Sequence, residues 1–389
     1  MKKLLLLNFP VIVLIFGFHQ VSETQTTSQI PTHNTDSRSE KIGPIVIESN
    51  QPDNAKPVEE AELRAASAKA IKLIQQSQAV WSKKETCASC HHQLLPEILL
   101  KLARQRAVPL DEKVARDTTA NTFAYLKDID LAVQYYDYID VFFDGWLLLA
   151  ANVAGVQPSL TTAAYAQFIA SHQLPDGSWF TIDVRPPQSF SPFTTTAVCA
   201  QTLRNYLPEQ FKAERETRVR RAREWLVKSL PKTTEDRTFQ LLGLQWTGAS
   251  ENARKNAARL LLAQQRADGG WSQLPGLTSD PYATGEVMVA LHEAAGFSTS
   301  DHAYQRGLGF LLKAQEADGS WRVSSRLHPP APVSPPYFET GFPYGHDQFI
   351  SAMGTSWAAA ALLHAIPAQA GQKLQRAANP DVVPAEQPE

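Results

Sequence analysis

The sequence predicts an all-α protein in which six pairs of helices close into a ring. A turn with the pattern Gln-x-x-Asp-Gly-x-Trp occurs three times, at residues 173–179, 265–271 and 315–321. Each copy follows an amphipathic segment and precedes a more apolar one. The three tryptophans are 92 and then 50 residues apart. Because helical-pair arrays repeat every ~40–47 residues, the longer gap indicates one further, degenerate pair without the turn.

The helix pairs follow from hydrophobic periodicity. The amphipathic segments are predicted to form outer helices at residues 60–80, 111–126, 158–171, 218–229, 251–264 and 302–314. The more apolar segments are predicted to form inner helices at residues 91–105, 141–153, 194–207, 236–247, 282–295 and 350–365. A helix that is apolar nearly all round is buried. Six outer and six inner helices across residues 59–366 can close into a ring, which leaves no exposed repeat end.

The two ends of the chain have a different composition. Residues 1–22 are predicted to be a signal peptide, because Lys2 and Lys3 precede an apolar core that is too short for a membrane span. Residues 23–58 are predicted to be a disordered linker and residues 367–389 a disordered tail. We therefore expect an exported, periplasmic protein, with an uncleaved N-terminal anchor or contact with a membrane surface as the alternative. The net charge of −2 offers no basic excess for nucleic acid.

One short motif brings together three strong ligands, Cys87, Cys90 and His91, and His92 follows directly. Two cysteines separated by two residues and followed by a histidine have the spacing for covalent attachment of a c-type haem. Cys87 and Cys90 would form the thioether bonds, and His91 would be an axial ligand. The alternatives are a small disulfide, a zinc site completed from elsewhere, or ordinary buried thiols. We predict one covalent haem c, with zinc as the alternative metal.

The position of this motif in the ring suggests a further ligand. Outer helices lead into inner helices through the tryptophan turns, so all inner helices begin at one end of the ring. The motif lies at the start of the first inner helix, and His346 precedes the sixth. These two helices are neighbours in a closed ring, so we predict His346 as the second axial ligand. Met353 and His172 are weaker candidates for the second axial ligand, and an iron whose sixth coordination position is open is a further alternative. The alternative interpretation of His346 is a hydrogen-bonded residue in a loop.

Other polar residues are expected at the same end of the ring. They precede or begin the later inner helices: Thr194, Thr195, Thr196, Glu235, Asp236, Asp280, Tyr282, Thr284, Tyr344, Asp347 and Ser351. Asp137, Asp140 and Asp144 lie in the most aromatic stretch of the chain and could act on a substrate at the mouth of the ring. The simpler interpretation of these three residues is a helix N-cap and its loop.

The three tryptophan turns resemble the QW repeats of the squalene cyclase and protein prenyltransferase superfamily. The resemblance implies an α/α toroid in which the glutamines cap helix ends and the tryptophans pack on the following repeat. The activities of that superfamily do not carry over by residue. Asp128-Ile129-Asp130 is not the Asp-x-Asp-Asp acid of the triterpene cyclases, and Asp280-Pro281-Tyr282 has tyrosine where the prenyltransferases need a zinc-binding cysteine.

Three hypotheses for function follow. The first is an exported haem-binding toroid in redox chemistry or electron transfer, with a redox partner that the sequence does not identify. The second is an isoprenoid enzyme, or a protein that binds an apolar ligand in the central cavity, without the usual acid motif. The third is a non-catalytic binding scaffold in which a metal or haem is only structural.

Overall fold

A computed structural model describes residues 57–85, 88–130, 141–180, 185–327 and 339–369. Twelve α-helices and no β-strand occur within these ranges. The predictions for the signal peptide, nearly all of the linker and most of the tail lie outside the described residues. Among the helices that are described, none combines the length and the apolar character that a membrane crossing requires.

The helices alternate along the chain between an outer and an inner layer. The outer helices are α1 (Glu60–Lys84), α3 (Glu112–Thr122), α5 (Leu160–Ser171), α7 (Lys212–Lys228), α9 (Glu251–Leu262) and α11 (His302–Ala314). The inner helices are α2 (Leu95–Gln105), α4 (Val141–Ala154), α6 (Pro192–Tyr206), α8 (Thr234–Trp246), α10 (Pro281–Ala295) and α12 (Gln348–His364). All twelve predicted helices are present. The largest differences are that α7 begins six residues earlier and that a π-helix, Cys90–Leu94, precedes α2.

The inner helices form a closed ring. Each one packs against the next from α2 to α12, and α12 packs back against α2. Their side chains are buried almost all round, as in α12, where residues 350–363 are all buried. Burial of this continuous apolar surface drives closure of the ring. The predicted α/α toroid is therefore confirmed.

The tryptophan turns join neighbouring outer helices. The side-chain amide of Gln173 donates to the carbonyl of Gly177 within its own turn and to the carbonyl of Arg218 in α7. The indole of Trp179 donates to the carbonyl of Ile169 near the end of α5. Gln265 and Trp271 repeat this pattern between α9 and α11. The glutamines and tryptophans are thus structural, as the resemblance implies.

The third turn closes the outer layer. Gln315 donates to the carbonyl of Ala66 in α1, which joins the last outer helix to the first. Gly319 in this turn has a φ of +93°, and a Cβ built on it would lie 2.6 Å from the Cβ of Lys69. A side chain at this position would be both strained and blocked, so the close approach of the turn to α1 requires glycine.

Candidate functional site

Four inner helices bring a group of polar side chains together in the interior. We define the acid cluster as Thr194 of α6, Glu235 and Thr238 of α8, Tyr282 and Glu286 of α10, and Trp357 of α12. None of these six residues is more than 3% exposed. The helices that carry them are fixed locally by N-caps, since Ser191, Thr233 and Asp280 accept hydrogen bonds from backbone N–H groups of α6, α8 and α10.

Glu235 is held by two hydroxyl donors. The Thr194 hydroxyl donates to Oε1 at 2.7 Å, and the Tyr282 hydroxyl donates to Oε2 at 2.9 Å. Burial raises the pKa of Glu235, and hydrogen bonds from its neighbours, Thr194 and Tyr282 among them, act against that rise. Donors on both oxygens favour the ionised form of this carboxyl.

Glu286 lies one helical turn after Tyr282 and has a different environment. Neither of its carboxyl oxygens meets full hydrogen-bond geometry with a described residue, but Glu235 and Thr238 lie close enough to influence its pKa as hydrogen-bonding neighbours. Burial, followed by the charge of the adjacent Glu235, holds the pKa of Glu286 well above its usual range. Two neighbouring carboxyl groups in the interior do not both ionise. The pair therefore keeps a proton at neutral pH, and Glu286 is the residue that holds it, because Glu235 accepts two well-formed hydrogen bonds and Glu286 accepts none of that geometry.

Two further charged residues border the acid cluster. Asp280 caps α10 by accepting from the backbone N–H of Ala283 at 3.0 Å, and burial raises its pKa to about 6. Arg326 lies in the loop after the third tryptophan turn. Burial lowers the pKa of its guanidinium. Four nearby side chains act in the opposite direction and raise this pKa, so all of them lie within electrostatic range of Arg326: Glu235, Tyr282, Asp280 and Glu286. Its Nε atom is buried without a partner among the described residues.

Two more buried donors in the acid cluster are unsatisfied. Thr238 Oγ1 and Trp357 Nε1 have no hydrogen-bond partner among the described residues. Thr238 nevertheless lies close enough to Glu286, and Trp357 close enough to Tyr282, to lower the pKa of that neighbour as a hydrogen-bond donor. Buried polar groups are normally hydrogen-bonded, so these two donors are poorly satisfied by the described residues.

A second group of side chains surrounds the cysteine–histidine motif. We define the histidine cluster as Trp81, His91, His92 and Phe349. The ring of His92, which is fully buried, stacks on Trp81 with a centroid distance of 5.4 Å and an interplanar angle of 13°. The ring of Phe349 lies edge-on to His91 at 5.6 Å and to His92 at 5.4 Å. Aromatic packing therefore joins the start of α12 to the motif before α2.

The motif has an unusual backbone and neutral histidines. Residues Cys90–Leu94 form a π-helix, a rare conformation that often occurs at functional sites. Burial lowers the pKa of His91 to about 3, with a smaller contribution from the charge of Arg185. Burial and then His91 lower the pKa of His92. Both imidazoles are thus neutral at physiological pH, which is the form that binds metals.

The predicted haem ligands occupy two places in the described structure. Cys90 is buried as the first residue of the π-helix, and Cys87 lies outside the described residues. His346 is exposed in the short 3-10 helix Gly345–Asp347, three residues before Phe349. The described part of the chain contains no group of three histidine, cysteine or acidic side chains arranged to hold a metal. Haem c, zinc, and the ligand roles of His91 and His346 stay predictions.

The other candidates occupy varied positions. Asp137 and Asp140 lie outside the described residues, and Asp144 is buried in the first turn of α4. Met353 is buried in α12, and His172 is exposed at the end of α5. Thr194, Glu235 and Tyr282 of the acid cluster are predicted from the sequence, and Glu286 is not. The available signal is that α10 carries Glu286 among its apolar, buried positions, whereas its other acidic residue, Glu293, lies near the exposed end of the helix; a charged residue in a buried stretch needs an explanation.

Comparisons with known proteins support the fold. No protein-family model matches this chain. A stretch of 85 residues is 35% identical to drimenyl diphosphate synthase from Streptantibioticus cattleyicolor; it covers 22% of this chain and 15% of the length of that enzyme.

Solved structures cover more of the chain. The type II terpene cyclase MstE from Scytonema, as a variant with geranylgeranyl dihydroxybenzoate bound as substrate, superposes with a TM-score of 0.51. The sequences are 16% identical, and the alignment covers 79% of this chain and 98% of MstE. Another MstE variant, with merosterolic acid A bound as product, has a TM-score of 0.50 and 15% identity, with the same coverage. At this identity the likeness establishes the α/α toroid fold alone.

Proposed function

We propose that this protein is an isoprenoid-converting enzyme of the terpene-cyclase kind, in which a buried carboxylic acid starts the reaction. The likeness to MstE and the short match to drimenyl diphosphate synthase support an isoprenoid ligand. The observation that carries the proposal is the Glu235–Glu286 pair. It supplies a buried, protonated carboxyl group in a chain that lacks the Asp-x-Asp-Asp motif.

In the proposed reaction Glu286 is the acid. Its proton passes to the substrate, a carbocation forms, and the π electrons of the next double bond close a ring. A final proton loss from carbon makes the whole reaction an isomerisation, so no co-reactant is needed. Glu235 has a positioning role, because its hydrogen bonds from Thr194 and Tyr282 keep it ionised beside Glu286. After proton transfer the two carboxylates repel each other, which favours reprotonation of Glu286.

The test is an incubation of the purified protein with geranylgeranyl dihydroxybenzoate, geranylgeranyl diphosphate, farnesyl diphosphate and squalene. We expect one of these to give a product of unchanged mass and altered retention in chromatography with mass spectrometry. Glu286→Gln should abolish this product. Glu224→Gln, an exposed change on the outer helix α7, is the control. A folded protein that converts none of the four, or a Glu286→Gln variant with full activity, would contradict the proposal.

We propose haem binding at the cysteine–histidine motif as a second candidate function. The specific observation in its favour is the π-helix that begins at Cys90, together with the buried, unpartnered Nε2 of His92. The donor set fits the group in its chemistry, since a thiol and a neutral imidazole are adjacent at Cys90 and His91. A bound haem would supply one-electron chemistry. These residues would bind and orient it.

The intact mass and the visible spectrum of protein produced with a haem-attachment system test this second candidate. Covalent haem adds a fixed mass and strong visible absorption, and Cys90→Ser should reduce both. Zinc would leave the visible spectrum blank, and a disulfide would remove two hydrogen atoms from the mass. A protein without added mass or visible absorption would contradict haem binding.

A further inference from the structure

A hollow of about 570 Å³ lies in the outer layer of the ring, where the second tryptophan turn meets α11. Its volume is in the range of ligand-binding sites. The turn is fixed against α11, because Gln265 donates to the carbonyl of Ala303 at 2.7 Å and Arg306 donates to the carbonyl of Arg266. These hydrogen bonds within the protein hold the walls of the hollow in place.

The same junction of turn and helix occurs three times in the ring, and the copies differ at one position. The turn glutamines define equivalent positions in α7, α11 and α1, because they donate to the carbonyls of Arg218, Ala303 and Ala66. Six residues after these carbonyls stand Glu224, Gly309 and Lys72. A Cβ built on Gly309 would meet no atom within 4 Å. Glycine therefore leaves the hollow open at the second junction, whereas a long charged side chain occupies this position at the other two.

The lining of the hollow combines an apolar strip with two cations. Gly309, Phe310 and Ala314 form the strip along α11. Arg306 and Lys313 also line the hollow and are seven residues apart, which places them about two turns from each other on the same face of α11. Neither cation takes part in an ion pair within the described ranges.

The acidic residue of the lining, Asp268, is held within the turn. Its Oδ1 atom accepts from the backbone N–H of Gly270 and from the hydroxyl of Ser279, both at 3.0 Å. One guanidinium nitrogen of Arg306 is likewise bonded to the carbonyl of Arg266. Lys313 is exposed at the other end of the strip and forms no such bond with the described residues. Its ammonium group is therefore available to an anion that enters the hollow.

From this arrangement we infer that the hollow binds a free single-chain amphiphilic anion, such as a fatty acid, with its chain along Gly309 and Phe310 and its carboxylate at Lys313. An exposed apolar strip bordered by charged residues is typical of an interaction site. A neutral chain leaves the cations without a counter-charge, and a small inorganic anion leaves the apolar strip in water. The inference does not depend on the proposed function, because the hollow lies in the outer layer and the acid cluster lies between inner helices.

The first experiment locates the bound anion by photo-crosslinking. The probe is decanoic acid with a diazirine group in its chain, and the full-length protein is labelled at low ionic strength. Trypsin cleaves after Arg306 and Lys313, so the strip is recovered as the peptide of residues 307–313. The matched peptide of α7 covers residues 224–228 and begins with Glu224. We expect label in the first peptide and none above background in the second.

Two substitutions alter the hollow alone. Gly309→Gln fills it and should remove the label from the peptide of residues 307–313; the variant should fold, because glutamine favours an exposed helix position more than glycine does. Lys313→Gln should weaken decanoate binding about two- to fivefold in calorimetry, the usual worth of an exposed ion pair. The matched control is Lys228→Gln, at the equivalent exposed position of α7, which should leave decanoate binding unchanged.

Calorimetry with decanol tests recognition of the charge. We expect decanoate to bind about three- to tenfold more tightly than decanol, and this preference should shrink in 0.5 M salt, about the concentration at which exposed charges are strongly screened. Equal affinity for the two ligands overturns the inference, and so does an equal loss of decanoate binding in Lys313→Gln and Lys228→Gln.

The remaining outcomes concern the place and the source of the ligand. Label confined to other peptides, or full labelling of Gly309→Gln, overturns the inference. Binding to phosphatidylglycerol vesicles without binding of free decanoate would indicate a contact with a membrane surface and would overturn it as well.

Discussion

The acid cluster and the histidine cluster both include residues at the starts of inner helices, but they differ in how the sequence encodes them. The histidine cluster includes the last two residues of one contiguous motif, Cys87–His92, and its described contacts are mainly aromatic packing. The acid cluster contains no motif. Its six residues come from four helices, and they meet only because the ring brings those helices together.

The region with the more recognisable sequence motif is therefore not the region whose side chains are better arranged for catalysis. The described part of the histidine cluster holds neutral, packed rings. The acid cluster holds a buried proton, two hydroxyl donors on one carboxylate and several unsatisfied polar atoms. The proposed function therefore rests on the acid cluster, and the two regions can be separated by experiment.

The largest expected difference is in activity. Glu286→Gln should lower the rate of product formation by about 10²–10⁴-fold, the usual contribution of a general acid. His91→Gln should lower it by less than ~3-fold, because acid-initiated chemistry does not use the histidine cluster. Initial rates with the best substrate measure both variants. Equal losses in the two variants would show that the two clusters form one functional unit.

Much of the fold was predictable because its signals are local. Gln173, Asp176, Gly177 and Trp179 occupy fixed positions in one turn, and the same spacing recurs twice. The turn depends on contacts within its own residues and with a neighbouring helix, so a short sequence window contains most of the information. The alternation of outer and inner helices follows from periodicity in the same way.

The acid cluster could be predicted only in part. Glu235 and Tyr282 were selected because inner-helix starts converge at one end of the ring. Glu286 is not predicted because it lies inside α10 and not at its start. Thr238 and Trp357 are not predicted because the sequence does not show whether a hydroxyl or an indole N–H group has a hydrogen-bond partner. Whether a buried donor has a partner depends on atoms from other helices. The π-helix at Cys90 was likewise not predicted from periodicity.

The next largest effect is on stability. Trp81→Ala should lower the free energy of unfolding by about 3–5 kcal/mol, because it removes a fully buried indole that stacks on His92. Trp357→Phe should cost less than ~1.5 kcal/mol, because it keeps an aromatic ring and removes an N–H group that has no partner among the described residues. Urea unfolding at pH 7 measures both. A larger loss for Trp357→Phe would show that its indole N–H makes a stabilising hydrogen bond.

The two clusters should also respond to pH in opposite directions. The pKa of Glu286 is raised on folding, so its contribution to stability is complete below about pH 4.5 and is lost as the pH rises. The pKa of His91 is lowered to about 3, so the unfolded chain gains a proton first and stability falls as the pH drops below 6.5. Each effect has a limiting slope of about 1.4 kcal/mol per pH unit.

Urea unfolding of metal-free protein between pH 4 and pH 8 tests these slopes. Glu286→Gln should remove part of the loss on the alkaline side, and His91→Gln should remove part of the loss on the acid side. Unchanged slopes in both variants would show that neither group titrates differently in the folded and unfolded states.

The smallest expected effect concerns His346. Its side chain is exposed, so His346→Ala should change the free energy of unfolding of the haem-free protein by less than ~0.5 kcal/mol. If haem is attached and His346 is its second axial ligand, the same change should shift the visible spectrum toward that of a five-coordinate iron. His302→Ala, at the start of the outer helix α11, is the matched control and should leave that spectrum unchanged. An unaltered spectrum for His346→Ala would remove the role predicted for this residue and would leave the histidine cluster with one described axial ligand, His91.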